Sequence, residues 1–273
     1  MHYLKNLYIL FIVLSLNIFF FSTTKVLAKS FEINDIEISK PFENNFNKNI
    51  VIDTGFKEAF SKLIQTIIRS ADYKKVKNIK LNEIKAMVDS FSIKEEKFID
   101  QNYYVNLGVS FNKKKIFKYL ERKNIFPSQI IKEKFLFIPI IIDENDNDLK
   151  IFSDNLVYEK WNTINQEYYL INYLLPTEDL EDLSIIKKNY DLIENYDFKE
   201  IIKKYYLENC IIALFFKNGQ EVRILSKIIT KNKVVINNDS FPEFDLQNQE
   251  KINSLISKLK NTYEDTWKNY NQI

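Results

Sequence analysis

The chain has 273 residues, of which 45% are hydrophobic and 28% are charged. This length and composition are typical of a globular protein with one large domain or two small ones. The formal net charge of +2 gives no sign of the strong basic excess that is typical of nucleic-acid-binding proteins, and we predict no nucleic-acid partner.

Residues 1–28 have the parts of a secretory signal peptide. Lys5 precedes an apolar core over residues 7–21, and Val26-Leu27-Ala28 places small residues at the positions that a signal peptidase reads. We therefore predict export to the periplasm, with cleavage after Ala28. The alternative is an uncleaved segment that anchors the protein to the inner membrane. No later segment reaches the length of a membrane span, so none is expected after the signal is removed.

Removal of the signal changes the chemistry that the mature chain offers. It takes away His2, the single histidine, and two lysines, which leaves 37 basic and 37 acidic residues. Catalysis by Ser-His-Asp or Cys-His and histidine-containing zinc sites are thus excluded. The glycines at 55, 108 and 219 are too scattered for a phosphate-binding loop, a dinucleotide fingerprint or a nucleophile elbow. We predict no catalytic residue, no cofactor and no metal ligand.

Residues 29–130 are predicted to form an α+β domain, an antiparallel sheet covered by helices. The opening strand alternates over residues 31–38 and slips phase once, which indicates a bulge. Two further strands follow over residues 91–98 and 103–111, with a turn at residues 100–102. Helical spacing marks three helices, whose apolar residues are Phe56, Ala59, Phe60, Leu63, Ile64, Ile67 and Ile68, then Ile84, Met87 and Val88, then Ile116, Phe117 and Leu120.

Residues 131–273 are predicted to form an α/β domain, a mixed sheet with flanking helices, and the boundary is placed near residues 126–133. Strands are expected over residues 134–142, 168–175, 210–217, 220–229 and 233–237, with Asn218-Gly219 as a hairpin turn. Asp154 and Thr177 are expected to cap the helices that follow them. A final amphipathic helix carries Ile252, Leu255, Ile256, Leu259, Tyr263, Trp267 and Tyr270.

Several residues are candidates for a redox, metal-binding or catalytic role. The lone Cys210 begins an apolar run and is interpreted as a buried structural thiol, with a redox or intermolecular thiol as the alternative. The acidic loop from Asp143 to Asp148 is either a solvated turn or, through its carboxylate and amide oxygens, a calcium ligand. Asp179 and Asp182 lie three residues apart on one helix, where they are either ordinary residues of a helix start or a catalytic carboxylate pair.

Three short motifs, Ser153-Asp154-Asn155, Ser184-Ile-Ile-Lys187 and Lys217-Asn-Gly219, resemble those of penicillin-recognising enzymes. Their order along the chain is wrong for that fold, because the nucleophile motif follows the Ser-x-Asn motif, and we reject this interpretation.

Two surfaces are considered for partners. The basic residues 113–115 and 122–123 are either a solvated face or a contact for anionic lipid or peptidoglycan. The aromatic end of the final helix either packs on its own domain or faces a partner or a membrane surface.

The order of features is similar to a proteobacterial family of exported proteins catalogued as a domain of unknown function. The residues that carry the resemblance are Ala59-Phe60, Leu63-Ile64 and Ile67, Phe91-Ser-Ile-Lys-Glu-Glu96, Tyr103-Tyr-Val-Asn-Leu107, Val109-Ser-Phe-Asn112, residues 135–139, Trp161 and Leu175-Pro-Thr-Glu-Asp-Leu-Glu-Asp182. It covers most of the mature chain, although an aromatic- and proline-rich element before Trp161 is replaced by Ile151-Phe-Ser-Asp-Asn155. The family has no established activity, so no site residue is implied.

More distantly, the second half resembles the α/β module of the Tol translocation protein and of curli-secretion lipoproteins. That resemblance implies assembly or binding in the cell envelope. We therefore predict a non-enzymatic binding or assembly module in the periplasm, with an envelope protein or a cell-wall component as partner. The alternatives are a histidine-free cell-wall hydrolase that uses paired carboxylates, and a structural subunit that assembles through its sheet edges or its final helix.

Overall fold

The structure, a computed structural model, describes residues 30–152 and 154–273. The predicted signal peptide and Ser153 lie outside the described residues. Among the helices of the described ranges, none has both the length and the hydrophobicity that crossing a bilayer requires.

The first half folds as an antiparallel three-stranded sheet with helices, as predicted. The strand order is β1-β3-β2, and the elements are β1 (Ser30–Pro41), α1 (Lys48–Ile67), α2 (Leu81–Met87), β2 (Val88–Ile99), β3 (Asn102–Asn112) and α3 (Lys113–Glu121), with a 3₁₀ helix at Ser70–Lys75. The predicted bulge in β1 is present, because its register against β3 shifts between Ile33 and Ile36. Val88, which helical spacing assigned to α2, is instead the first residue of β2.

The apolar face of α1 packs mainly on β1 and β3, where it forms the core of this half. Gly55 lies at the closest approach of helix and sheet. A Cβ atom there would come within 2.4 Å of Cδ1 of Leu107, whose side chain is fully buried and has little room to move. The glycine thus sets the distance at which α1 crosses the sheet.

The second half folds as a mixed six-stranded sheet, also as predicted. Along the order β5-β4-β7-β8-β9, β4 and β7 are parallel, β5, β8 and β9 are antiparallel to their neighbours, and β6 pairs in parallel with the beginning of β4. The strands are β4 (Glu133–Asp143), β5 (Asp148–Lys150), β6 (Ile171–Leu174), β7 (Cys210–Asn218), β8 (Glu221–Thr230) and β9 (Lys233–Phe241). Strand β5 was not predicted, and β9 is longer than predicted.

Helices cover both faces of this sheet, so β4 and β7 are buried on both sides. The helices are α4 (Leu156–Trp161), α5 (Leu180–Lys188), α6 (Lys199–Lys204) and α7 (Gln249–Tyr270). Helices α4 and α7 contribute to the core on one face, and α5 and α6 to the core on the other. Cys210 begins β7 as a buried free thiol, and its burial raises the pKa of the thiol well above the ordinary value.

Both predicted helix caps in this half are wrong by one or two residues. Asn155 rather than Asp154 caps α4. Its Oδ1 accepts from the N–H groups of Val157 and Tyr158, while its Nδ2 donates to the carbonyl oxygen atoms of Pro139 and Lys150. The side chain is fully buried, and only an amide both donates and accepts in this way.

Asp179 rather than Thr177 caps α5, because its side chain accepts from the N–H of Glu181. Thr177 instead hydrogen-bonds to the hydroxyl of Tyr205. Strand β6 is shorter than the predicted strand at residues 168–175. It begins where the N–H groups of Leu170 and Ile171 bind Glu264, a side chain of α7.

The end of α7 also contacts the first half of the chain. Nζ of Lys268 donates to the carbonyl oxygen of Gln65, in the last turn of α1, at 2.6 Å. Asp265 accepts from the backbone N–H and the hydroxyl of Ser70, at 2.8 and 2.6 Å, where the 3₁₀ helix begins. Charged side chains of α7 therefore bind free backbone groups at helix ends in the other half.

Candidate functional site

The acidic loop forms the turn between β4 and β5. Asp143 is bound by Nζ of Lys217 at 2.6 Å and accepts from the N–H of Asn145, and the lysine holds the pKa of this carboxyl below its ordinary value. Asp148 accepts from the N–H of Leu149. Across the described ranges, no group of three His, Cys, Asp or Glu side chains is arranged to hold a metal ion.

The Asp179 and Asp182 carboxylates are both bound to one lysine. Nζ of Lys204, on α6, lies 3.2 Å from Asp179 and 2.6 Å from Asp182, and 2.8 Å from Glu181. These hydrogen bonds raise the pKa of Lys204 above its ordinary value, the one from Asp182 most. The ion pairs tie α5 to α6, which is a structural role.

The aromatic end of α7 packs on its own half of the protein. Tyr263 is fully buried and shares a hydrogen bond of 2.7 Å with Ser226. Nε1 of Trp267 donates to the carbonyl oxygen of Ile131 at 2.8 Å, and the ring of Tyr270 stacks on Trp267. Of the two interpretations of this helix end, the structure shows the packing one. The basic residues of α3 are partly engaged as well, since Lys115 donates to the carbonyl oxygen of Ala86.

An exposed apolar surface of the first half lies along β2. It consists of Phe91, Ile93 and Phe98 of β2 and of Phe42, which follows β1, and we call it the β2 stripe. These side chains expose 46%, 38%, 58% and 52% of their surface, in that order. Phe91, Ile93 and Phe98 pair with buried residues of β3, so they lie on the face of the sheet that α1 covers over the other two strands. Since α1 packs mainly on β1 and β3, the stripe lies at the margin of the core.

The stripe is held in place by aromatic contacts with the core. The ring of Phe98 lies 5.1 Å from that of Phe42 and 5.0 Å from that of Tyr103, and Phe91 lies 5.2 Å from Phe56. Glu96 lies on the same face of β2 as the stripe, and Lys48 of α1 binds it at 2.7 Å and lowers the pKa of its carboxyl. Such preordered aromatic side chains lose little conformational entropy when a partner covers them.

β2 is also an edge strand. It pairs with β3 along one side, and no strand of the described ranges pairs with the other. Its outer side therefore offers unpaired backbone N–H and C=O groups over a 12-residue strand, beside the apolar stripe. A strand at residues 91–98 was predicted, but the sequence could not show which strand lies at the margin of the core.

A second group of residues, which were not predicted to be buried, lies on α7. Three charged side chains of α7, Lys260, Glu264 and Lys268, are almost completely buried. Both oxygens of Glu264 accept from the N–H of Leu170, at 2.9 and 3.1 Å, and one accepts from Ile171 at 2.8 Å. Burial raises the pKa of Glu264, which those hydrogen bonds and Lys268 oppose, and burial lowers the pKa of both lysines.

Comparison with known proteins identifies no relative from which a function could be inferred. The expected similarity to an exported proteobacterial family, and to the Tol and curli-secretion module, remains a prediction from the residues quoted above. The sequence matches no protein-family model, and no curated protein shows significant similarity to it.

Proposed function

We propose that this protein is exported to the periplasm and binds an extended segment of another envelope protein along β2, without catalysing a reaction. The observation that carries the proposal is the β2 edge, where an unpaired strand backbone lies beside four exposed apolar side chains. An incoming strand would pair with the backbone and place every second side chain over the stripe. Its apolar residues at alternate positions would supply the cover that α1 does not.

The hydrolase alternative gains no support from the carboxylates that suggested it. Asp179 and Asp182 bind Lys204, and Asp179 in addition caps α5. A carboxylate that acts as an acid or a nucleophile needs access to substrate, and Asp182 is 1% exposed.

The binding test compares three forms of the tagged mature protein in envelope extracts. The double variant Phe91→Ser, Phe98→Ser removes two of the three aromatic rings of the stripe. We expect it to lose at least about nine-tenths of the partner that the unchanged protein retains, since two such anchors carry about 3 kcal/mol. Leu180→Ser is the matched control, because this side chain is 83% exposed and lies on α5. A photo-crosslinking side chain at position 97 would identify the bound segment.

Two outcomes contradict the binding proposal. If the double variant and the Leu180→Ser control retain the same partner equally, the stripe is not its site. If no partner is retained while the purified protein degrades peptidoglycan, the hydrolase alternative is correct. Circular dichroism of each variant checks that the fold is unchanged.

Export to the periplasm and cleavage of the signal peptide can be tested separately from partner binding. Periplasmic protein should begin at Lys29, because cleavage after Ala28 removes the predicted signal. Intact-mass measurement and N-terminal sequencing of the fractionated protein test this directly. Recovery of the protein with Met1 or His2 at its terminus, in the membrane fraction, would instead establish the uncleaved anchor. Ala28→Arg is the control, since a large charged residue before the cleavage point blocks processing.

A further inference from the structure

A second site, separate from β2, lies where β4 and β6 begin. A cleft of about 820 Å³ is bounded by these two strands, by the loop before β6 and by α7. Its lining is polar, and the residues that matter here are Asn162, Gln166, Asn172, Tyr173 and Lys260. A polar cleft of this size accommodates a small hydrophilic molecule.

Lys260 lies at the floor of the cleft. Its side chain is 1% exposed, and its Nζ lies 4.9 Å from the ring centroid of Tyr173 and 5.2 Å from that of Trp161. Nζ donates one hydrogen bond, to the carbonyl oxygen of Ile164 at 2.5 Å, and no other acceptor for it lies in the described ranges. In the neutral amine, this arrangement leaves the nitrogen lone pair unengaged.

Burial favours the neutral amine of Lys260. Burial lowers the pKa of Lys260 to about 8, against the opposing effect of Glu264 one turn away. At pH 8 about half of the Lys260 side chains are therefore neutral, compared with about 0.3% for a lysine of ordinary pKa. A desolvated lysine of this kind is the group that enzymes and carrier proteins use as a nitrogen nucleophile.

Tyr173 supplies a second, independent observation. Its hydroxyl is buried and has no hydrogen-bond partner among the described residues, although the residue lines the same cleft. Burial also keeps this hydroxyl protonated, since it raises the pKa of Tyr173 well above the ordinary value. A buried donor without an acceptor destabilises the protein, and an oxygen atom of a bound molecule would satisfy it.

We propose that this cleft binds a small aldehyde or ketone, which condenses with Nζ of Lys260 to form an imine. The lone pair of the neutral amine attacks the carbonyl carbon, and the carbonyl oxygen, hydrogen-bonded by the Tyr173 hydroxyl, takes up a proton to give a carbinolamine. The carbon–oxygen bond then breaks as the C=N bond forms. The oxygen leaves as water, with both protons of the original amine, so no oxidant or reductant is required.

The imine is tested by reductive trapping in the full mature protein. Glyoxylate serves as the carbonyl probe and sodium cyanoborohydride reduces the imine, after which peptide mass spectrometry measures the labelling rate of each lysine at pH 8. We expect Lys260 to be labelled about ten times faster than Lys258, which is exposed on the same helix. The fraction of neutral amine at pH 8 exceeds that of a lysine of ordinary pKa by more than tenfold. The expected difference in rate is smaller, because a less basic nitrogen is a weaker nucleophile.

Two variants separate reactivity from folding. Tyr173→Phe removes the unpaired hydroxyl without breaking a hydrogen bond, so it should fold normally, slow labelling of Lys260 about tenfold and leave Lys258 unchanged. Lys260→Met should abolish the fast phase. Labelling of Lys260 no faster than that of Lys258, or equal rates in Tyr173→Phe and the unchanged protein, would overturn the proposal. Variants of the β2 stripe leave the cleft intact, so this site and the proposed function are tested independently.

Discussion

Replacement of Glu264 by alanine is expected to lower the free energy of unfolding by about 3–5 kcal/mol, the usual effect of removing one partner from a buried charged network. The substitution leaves the backbone N–H groups of Leu170 and Ile171 without their acceptor. It also removes the negative charge between the buried lysines Lys260 and Lys268, one turn away on either side. Urea unfolding followed by circular dichroism measures the change.

Two further variants identify the cause of that loss. Glu264→Gln keeps one oxygen acceptor but not the charge, so its effect should lie between zero and that of the alanine variant. Glu250→Ala removes an exposed carboxylate from the first turn of the same helix and should change stability by less than about 0.5 kcal/mol. A loss below about 1 kcal/mol for Glu264→Ala would show that the N–H groups find water instead, and that the network contributes little.

Most of the fold follows from periodicity in the sequence. Apart from β5, the order of strands and helices was predicted, and so was the bulge in β1, because these features depend on local alternation or on an uninterrupted apolar run. Two of the errors lie at helix starts. A neighbouring acid was chosen over Asn155 because capping propensity is local, whereas the choice here depends on the carbonyl oxygen of Pro139, sixteen residues away.

The candidate sites were much less predictable than the fold. Lys260, Glu264 and Lys268 continue a four-residue spacing that begins with Ile252 and Ile256, so the row of buried positions was visible in the sequence. Charge argued against burial, because lysine and glutamate are almost never fully buried without partners. Those partners are carbonyl and N–H groups of distant segments, and only the folded chain brings them to α7.

The pH dependence of the free energy of unfolding should show that the pKa of Lys260 is lowered in the folded protein. Its pKa is about 8 in the folded protein and near 10.5 in the unfolded chain, so between these values the unfolded state binds more protons. The stability of the unchanged protein should therefore rise with pH across this window, relative to Lys260→Met. The full rise is about 3 kcal/mol, since one pKa unit corresponds to about 1.4 kcal/mol. Below about pH 7 the difference between the two proteins should be constant, because Lys260 is then protonated in both states.

Urea unfolding of both proteins at intervals from pH 7 to 10.5 gives this difference directly. Glu264 and Lys268 titrate in both proteins, so their contributions largely cancel, and Lys258→Met supplies the baseline for an exposed lysine of the same helix. Parallel curves for the unchanged protein and Lys260→Met would mean that Lys260 keeps an ordinary pKa in the folded state. In that case the amine at the floor of the cleft would be protonated at pH 8 and unable to attack a carbonyl carbon, so the same measurement also tests the chemistry proposed for that site.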